Sequence, residues 1–215
     1  MDIKNRSVLV LGGAGLVGMA ICRKLVEEKP NRIIVTSILR SEAEEAVKIL
    51  RAEFPNTGKN FFVPWWGNIF VRHTFKDIKR EDIIDDPKKR AQLIEDILGG
   101  FDEEAIHRSA IYGVVSKFKP NIIIDCINSA TAIAYQDIFN NARAVLRKIK
   151  RAERAPVALI DSTERLLCSL YIPQLIRHVQ LLYRSMHESG TKIYVKIGTS
   201  GTGGMGLNIP YTHSE

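Results

Sequence analysis

The chain has 215 residues, 45% of them hydrophobic and 26% charged, with a formal net charge of +7. This length and composition predict one globular domain and exclude fibrous and disordered classes. No apolar run approaches the 18 residues of a membrane span, and no signal-peptide pattern is visible, so we expect a cytoplasmic protein that does not bind membranes.

Strand and helix patterns alternate along the chain. This alternation predicts an α/β fold, a doubly wound parallel sheet of the Rossmann-like kind with helices on both faces. The predicted strands are 7–11, 32–37, 61–66, 122–127 and 192–197, with an extra strand at 157–160. The predicted helices are 16–28, one from Ser41, one near 87–98, 103–117, 133–153 and 172–188. We expect one domain over 1–215, with a charged, mostly exposed insertion at 70–101 and another insertion at 131–170.

Glycines mark the turn between the first strand and the first helix. Gly12, Gly15 and Gly18 fit G-x-x-G-x-x-G, and Gly13 with the last two fits G-x-G-x-x-G. Such a turn permits unusual backbone angles, lets a ligand approach the backbone, and allows close packing of helix on strand. The free N–H groups of the following helix suit a pyrophosphate. The alternative is a structural turn without a ligand.

The string GGAGLVG at 12–18 resembles the TGGAGFIG turn of the extended short-chain dehydrogenase/reductase family, with Leu11 in place of the threonine. The resemblance implies an NAD(P) cofactor and hydride transfer at a carbinol or carbonyl carbon of a small, possibly anionic substrate. It assigns cofactor binding to Gly12, Gly15, Leu16, Val17 and Gly18.

The same resemblance extends to the ends of the third and fourth strands. Gly-Asn-Ile at 67–69 is similar to the family's Gly-Asp-Ile, which implies that Asn68 bonds the adenine edge and that Ile69 packs on the ring. Asn128, Ser129 and Ala130 are similar to the family's Asn-Ala-Ala and would pass the nicotinamide ribose. Asp125, inside the apolar fourth strand, needs a buried partner that the sequence does not identify.

After the fifth strand, Ser200 stands where the family has its catalytic serine, and Thr199 is the second choice. The family's catalytic Tyr-x-x-x-Lys pair is absent from this sequence. We therefore expect a chain that is incomplete at the C-terminus, or one whose function is regulatory.

The end of the second strand bears on the choice between NAD and NADP. An NAD site usually has an acid there for the ribose 2′-hydroxyl, but the first acid is Glu42. Ser37 and Arg40 would instead hold a 2′-phosphate. The sequence therefore predicts NADP, with NAD possible and with a solvated Arg40 as the alternative reading.

Two further segments suggest partners. The segment 143–154 holds six basic residues and one acid, which fits a solvated helix face, an anionic ligand or, as a rival function, a nucleic acid or anionic surface. The absence of interleaved aromatic residues argues against nucleic acid. The helix at 172–188 carries two adjacent apolar stripes, which predict a homodimer. One stripe contains Leu175, Val179, Leu182 and Met186, and the other contains Ile172, Ile176 and Tyr183.

The cysteines and histidines indicate no further site. Cys22, Cys126 and Cys168 are far apart in apolar contexts, which predicts reduced core residues. The histidines show no metal-ligand spacing. The leading hypothesis is an NADP-dependent oxidoreductase or epimerase, and the alternatives are a non-catalytic NADP-binding regulator and a binder of nucleic acid or anionic surfaces.

Overall fold

The computed structural model describes residues 2–128 and 156–198, together with Asn141, Ala144 and Val145. The strands are β1 (Ser7–Leu11), β2 (Arg32–Ser37), β3 (Phe62–Trp66), β4 (Ile122–Asp125) and β5 (Ile193–Lys196). The helices are α1 (Leu16–Glu27), α2 (Arg40–Glu53), α3 (Arg80–Asp85), α4 (Pro87–Leu98), α5 (Glu103–His107), α6 (Ala110–Phe118), α7 (Pro156–Cys168) and α8 (Tyr171–Ser189). A short 3-10 turn covers His73–Phe75.

The described strands form one parallel sheet in the order β3-β2-β1-β4-β5. β1 lies in the middle, where Val8 pairs with Ile33 on one side and Ile122 on the other. This order reverses direction at β1 and defines the doubly wound, Rossmann-like α/β fold that the sequence predicts. In such sheets ligands bind beyond the carboxyl ends of the strands.

Helices cover both faces of the sheet. α1 and α2 pack on one face around Val10, Val35 and Ile124, and α6 and α8 pack on the other around Leu9 and Ile123. The side chains of a strand alternate between the two faces of the sheet. Because helices cover both faces, the central strands carry buried apolar residues on both sides. β1 illustrates this, since all five of its residues are buried.

Two sequence-based predictions of secondary structure are wrong. The segment 157–160 belongs to α7 and not to a strand. Its apolar residues continue at helical spacing into the rest of that helix, which a four-residue window does not reveal. The predicted helix 103–117 is two helices, because Ser109 caps α6 by accepting a hydrogen bond from the Tyr112 N–H at 3.2 Å.

The charged insertion at 70–101 has a small core of its own. Ile83, Leu93 and Ile97 are buried there together with Cys168 of α7. Arg90 is 2% exposed and pairs with Asp161 at 2.7 Å and Glu164 at 3.0 Å. The segment thus keeps the exposed charged residues that the sequence predicts, but α7 covers part of it and gives it a buried core. Cys22 and Cys168 are buried and free, as predicted.

The buried and exposed faces of α8 do not coincide with the two predicted stripes. Leu182 is buried, but Val179, which the sequence groups with it, is exposed beside Ile172, Ile176 and Tyr183. The inward face also holds two polar residues, His178 and Ser185, which apolar spacing does not detect. None of the helices within the described residues is long and apolar enough to cross a membrane.

Candidate dinucleotide site

The glycine turn links β1 to α1 in a shape that side chains would obstruct. Gly12 has a φ of +69°, in the left-handed region that favours glycine. A Cβ on Gly18 would lie 2.2 Å from the Gly12 carbonyl oxygen and 2.6 Å from the Gly13 Cα. The third glycine therefore allows the helix to pack directly on the turn, as the spacing predicts.

Gly15 occupies the N-cap of α1 and lines the candidate pocket. Its φ of −73° is open to any residue, and a Cβ there would meet only the Gly12 carbonyl oxygen, at 3.3 Å. The backbone angles of Gly15 therefore do not require glycine, and its one tight contact would be relieved by a small shift of the Gly12 carbonyl. Because the cap has no side chain, the first N–H groups of α1, at Leu16, Val17 and Gly18, are left for an external acceptor.

Thr36 of β2 holds the turn in place. Its hydroxyl accepts a hydrogen bond from the Gly12 N–H at 3.1 Å and donates one to the Val10 carbonyl at 3.2 Å. The Ala14 N–H also donates to the Thr36 carbonyl, at 3.2 Å. The turn is thus fixed to the neighbouring strand before any ligand arrives, which reduces the entropy lost on binding.

A pocket of about 450 Å³ opens at the carboxyl ends of β1, β2 and β3. This volume lies in the range of small-molecule sites. Its lining is mostly backbone and apolar side chains, with few polar groups. The lining residues are Gly12, Ala14, Gly15, Thr36, Ser37, Ile38, Glu42, Gly67, Asn68, Ile69, Phe70, Cys126 and Ile127.

Asn68 lies at the pocket wall after β3. Its backbone N–H donates to the Lys76 carbonyl at 2.7 Å, and its Oδ1 accepts from the Phe70 N–H at 2.9 Å. These bonds fix the side chain and leave its amide NH₂ as a donor without a partner among the described residues. Ile69, next in the chain, is 4% exposed and presents an apolar wall.

Two groups of opposite charge stand at the end of β2. Glu42 lines the pocket and accepts a hydrogen bond from the Ser37 hydroxyl. Arg40 does not line it, because its Nε pairs with Glu44 at 2.8 Å and its guanidinium lies 4.9 Å from the centre of the Trp66 ring. Trp66 pairs with Ser37 in the sheet, so Arg40 remains close to the pocket edge.

Asp125, at the end of β4, has the partners that the sequence leaves unidentified, two side chains of the more exposed strand β5. It is 1% exposed, and its Oδ2 accepts from the Tyr194 hydroxyl at 2.7 Å and from the Lys196 ammonium at 3.0 Å. Its Oδ1 accepts from the Ile127 N–H at 2.9 Å. Burial and this carboxylate together raise the pKa of Tyr194. The cluster fixes the strand end that carries Cys126 and Ile127 into the pocket.

The structure brings together part of the predicted site. Gly12, Gly15, Ser37, Asn68 and Ile69 line one pocket. Leu16 and Val17 are exposed at the start of α1, and Gly18 packs behind the turn. Arg40 and Asn128 are not among the lining residues. Ser129, Ala130, Thr199, Ser200 and the basic residues of 143–154 lie outside the described residues.

Sequence reasoning missed Thr36, Glu42 and the partners of Asp125. A threonine hydroxyl inside an apolar strand is a signal that could have drawn attention to Thr36. The alternation of Tyr194 and Lys196 places both on one face of β5, and this pattern could have been noticed. Only the strand order shows that Asp125 lies beside them, in register with Lys196.

Three exposed side chains with metal-ligand atoms also meet away from this pocket. Glu103, His107 and Glu188 place one such atom each within 4.8 Å of the others. Arg184 donates to Glu103 at 2.6 Å and to Glu188 at 3.4 Å. Because the Arg184 guanidinium already bonds both carboxylates, we assign no metal here.

Comparison with known proteins supports no closer identification. No family model matches the sequence, and a search among curated proteins finds no significant match. Similar solved structures include Pen from Bacillus thuringiensis (14% identity, TM-score 0.42), a double mutant of a Serratia marcescens short-chain dehydrogenase/reductase (12%, 0.43) and a menthone neomenthol reductase from Mentha piperita (15%, 0.41).

The matches cover 96%, 96% and 91% of this chain and 43%, 63% and 61% of those chains. The chain therefore spans about half to two thirds of the length of these structures. The likeness is distant and concerns the fold, so the function is argued below from the pocket.

Proposed function

We propose that the pocket binds a nicotinamide dinucleotide with its pyrophosphate at the start of α1. The observation that carries this proposal is the turn at 12–18, where the φ of Gly12 and the packing of Gly18 call for glycine but the φ of Gly15 does not. A glycine whose backbone angles suit any residue, at a helix N-terminus that lines a pocket, is explained by the close approach of a ligand.

The reaction we propose is that of an NADP-dependent oxidoreductase or epimerase. The cofactor would supply hydride transfer, and this chain would hold it in place. The alternative, a non-catalytic NADP-binding regulator, is favoured by the absence of a Tyr-x-x-x-Lys pair from the sequence. Oxidation of NADPH in the presence of carbonyl substrates, measured with the full-length protein, separates the two functions.

The choice between NADP and NAD rests on Arg40 and Glu42. The pair between Arg40 and Glu44 is exposed, so its loss costs little, and Arg40 can turn toward a 2′-phosphate. Glu42 would repel that phosphate and is the observation that favours NAD. We propose NADP, because a guanidinium can form charge-assisted bonds with the phosphate.

Paired substitutions test this choice. We expect Arg40→Ala to weaken NADPH binding by about 1.5–3 kcal/mol, the range for a hydrogen bond to a charged group, and to leave NADH nearly unchanged. Glu42→Gln should strengthen NADPH binding. Calorimetric titration of both variants and of the control Glu45→Gln measures the effects. A wild-type protein that binds NADH more tightly than NADPH contradicts the proposal.

We also propose that α8 forms a homodimer. Ile172, Ile176, Val179 and Tyr183 are each more than half exposed and follow heptad spacing on one face of the helix. A second copy of this chain can cover that face. Ile176→Glu should convert a dimer to a monomer by light scattering, and a monomeric wild type at tens of micromolar contradicts this proposal.

A further inference from the structure

A second cavity borders the candidate dinucleotide pocket, and Ile69 and Phe70 line both. Its volume is about 30 Å³, which is room for one or two water molecules. The walls come from the chain after β3, from α4, from the start of α6 and from α8. The cavity is too small for a dinucleotide, so it is a separate site.

His178 of α8 lines this cavity without any hydrogen bond. The residue is 6% exposed, and neither ring nitrogen has a partner among the described residues. The Phe70 ring packs against the imidazole with 4.6 Å between ring centres. Buried polar atoms in proteins are nearly always bonded. A neutral imidazole offers one donor and one acceptor, so within the described part of the chain the His178 ring has both free to bond a small polar ligand.

The residues of the cavity wall include more positive than negative charges. Arg72 and Arg108 share the Asp96 carboxylate: Arg72 bonds both of its oxygens at 2.8 and 2.9 Å, and Arg108 bonds one at 2.8 Å. Arg177 donates to the carbonyls of Gly99 and Gly100. The charged residues that line the cavity are therefore three arginines and one aspartate, a surplus of positive charge.

We propose that this cavity, which is lined by His178, Arg72, Arg108 and Arg177, binds a small monovalent anion, of the size of bromide or formate, next to the His178 ring. The volume excludes whole organic ligands, and the surplus positive charge disfavours a cation. An anion accepts the hydrogen bond of the buried imidazole and balances the arginine charges. The ligand is a free small anion or the carboxylate end of a larger acid.

Binding of such an anion should be linked to protonation of His178. Burial lowers the pKa of His178 to about 4. The Asp125 carboxylate opposes this shift, and the Lys196 ammonium adds to it. The other charged groups lining the cavity are Arg72, Asp96, Arg108 and Arg177. An anion beside the ring favours the imidazolium form, so binding takes up a proton. Affinity should rise as the pH falls, by at most roughly tenfold per pH unit for one proton.

Bromide tests the site directly. Crystals soaked in sodium bromide, in chloride-free buffer, should show an anomalous peak within hydrogen-bond distance of a ring nitrogen of His178. The peak should be absent from His178→Phe and present in the control His187→Phe, which changes an exposed histidine of the same helix. Ordered water in the cavity, or bromide bound only at the outer surface, overturns the proposal.

A solution experiment keeps the proposal testable if His178→Phe fails to fold. Formate added to the wild-type protein should shift the NMR signals of the His178 ring saturably, with a lower Kd at pH 5.5 than at pH 7.5. Equal binding of succinate identifies the end of a larger acid, and binding of formate alone identifies a free anion. No saturable shift with either acid overturns the proposal. The readout does not involve the dinucleotide, so its failure leaves the proposed function intact.

Discussion

The two halves of the carboxyl edge of the sheet differ in what they are made of. At β1 and β2 the pocket wall contains the glycine turn, which one hydroxyl, that of Thr36, fixes to the sheet. At β4 and β5 the strand ends are held by side chains, the buried carboxylate of Asp125 with Tyr194 and Lys196. The first half has no room for added atoms at Gly18, and the second depends on one buried carboxylate.

This difference determines how each half should fail. Added atoms at the glycine turn collide with backbone that cannot move independently. Removal of the Asp125 carboxylate at β4 takes the acceptor from the Tyr194 hydroxyl, the Lys196 ammonium and the Ile127 N–H. A substitution that adds atoms therefore tests the glycine turn, and one that removes a carboxylate tests the end of β4. His178 of α8 lies outside both halves and is tested by pH.

The largest effect is expected at Gly18. In Gly18→Ala the new Cβ would lie 2.2 Å from the Gly12 carbonyl oxygen, so α1 must move away from the turn. We expect a loss of about 3 kcal/mol in the free energy of unfolding, the upper range for overpacking. Urea denaturation measures it. Gly58→Ala is the matched control, since nothing lies within 4 Å of its Cβ. Equal stability of the two variants would refute the close packing.

An effect of up to about 3 kcal/mol is expected from His178 when the pH falls. Its pKa is lowered from 6.5 to about 4 by burial. The unfolded chain therefore binds a proton at a higher pH than the folded one, and stability falls as the pH drops from 6.5 to 4. Below pH 4 the loss attributable to this residue is complete.

Unfolding measured by urea at several pH values, in buffer free of halide and formate, checks the His178 prediction. His178→Phe removes the titrating group and should flatten the curve between pH 4 and 6.5. His187→Phe should retain the wild-type slope. A slope that persists in His178→Phe would assign the pH dependence to other groups.

A smaller effect, about 2 kcal/mol, is expected from Asp125→Ala. Removal of one partner of a buried ion pair usually costs more, but the side chain of Lys196 is 37% exposed and can be solvated. Asp77→Ala removes the partner of Lys76 at a carboxylate that is 57% exposed, and it should cost far less. If the two variants lose equal stability, Asp125 does not fix the end of β4.

The predictability of these regions from sequence follows from the same difference. The turn at 12–18 is a local pattern of glycines between an apolar strand and an apolar helix, so spacing alone predicts its shape. Asp125 and Tyr194 are 69 residues apart, and no local pattern joins them. Sequence reasoning does not single out His178, because periodicity records which residues are apolar and not which polar residues lie among them.

The alternation of strands and helices predicts the fold class, but it predicts neither the strand order nor the layout of the insertion. Arg90 is charged and was read as exposed, yet α7, far along the chain, buries it with Asp161 and Glu164. The roles of Ser37 and Arg40 were deduced from residue type. The structure shows that their present partners are Glu42 and Glu44, which type alone does not specify.

The central claim is that Gly15 is glycine for a ligand and not for the fold. Its φ of −73° suits any residue and an added Cβ would meet only the Gly12 carbonyl oxygen, at 3.3 Å, so Gly15→Leu should stay folded and lose far less stability than Gly18→Ala. The same side chain would stand where the pyrophosphate approaches. Calorimetric titration of wild type and Gly15→Leu with NADPH should therefore show binding to the first and loss of binding in the second. Equal affinity of the two folded proteins for NADPH would contradict the dinucleotide site.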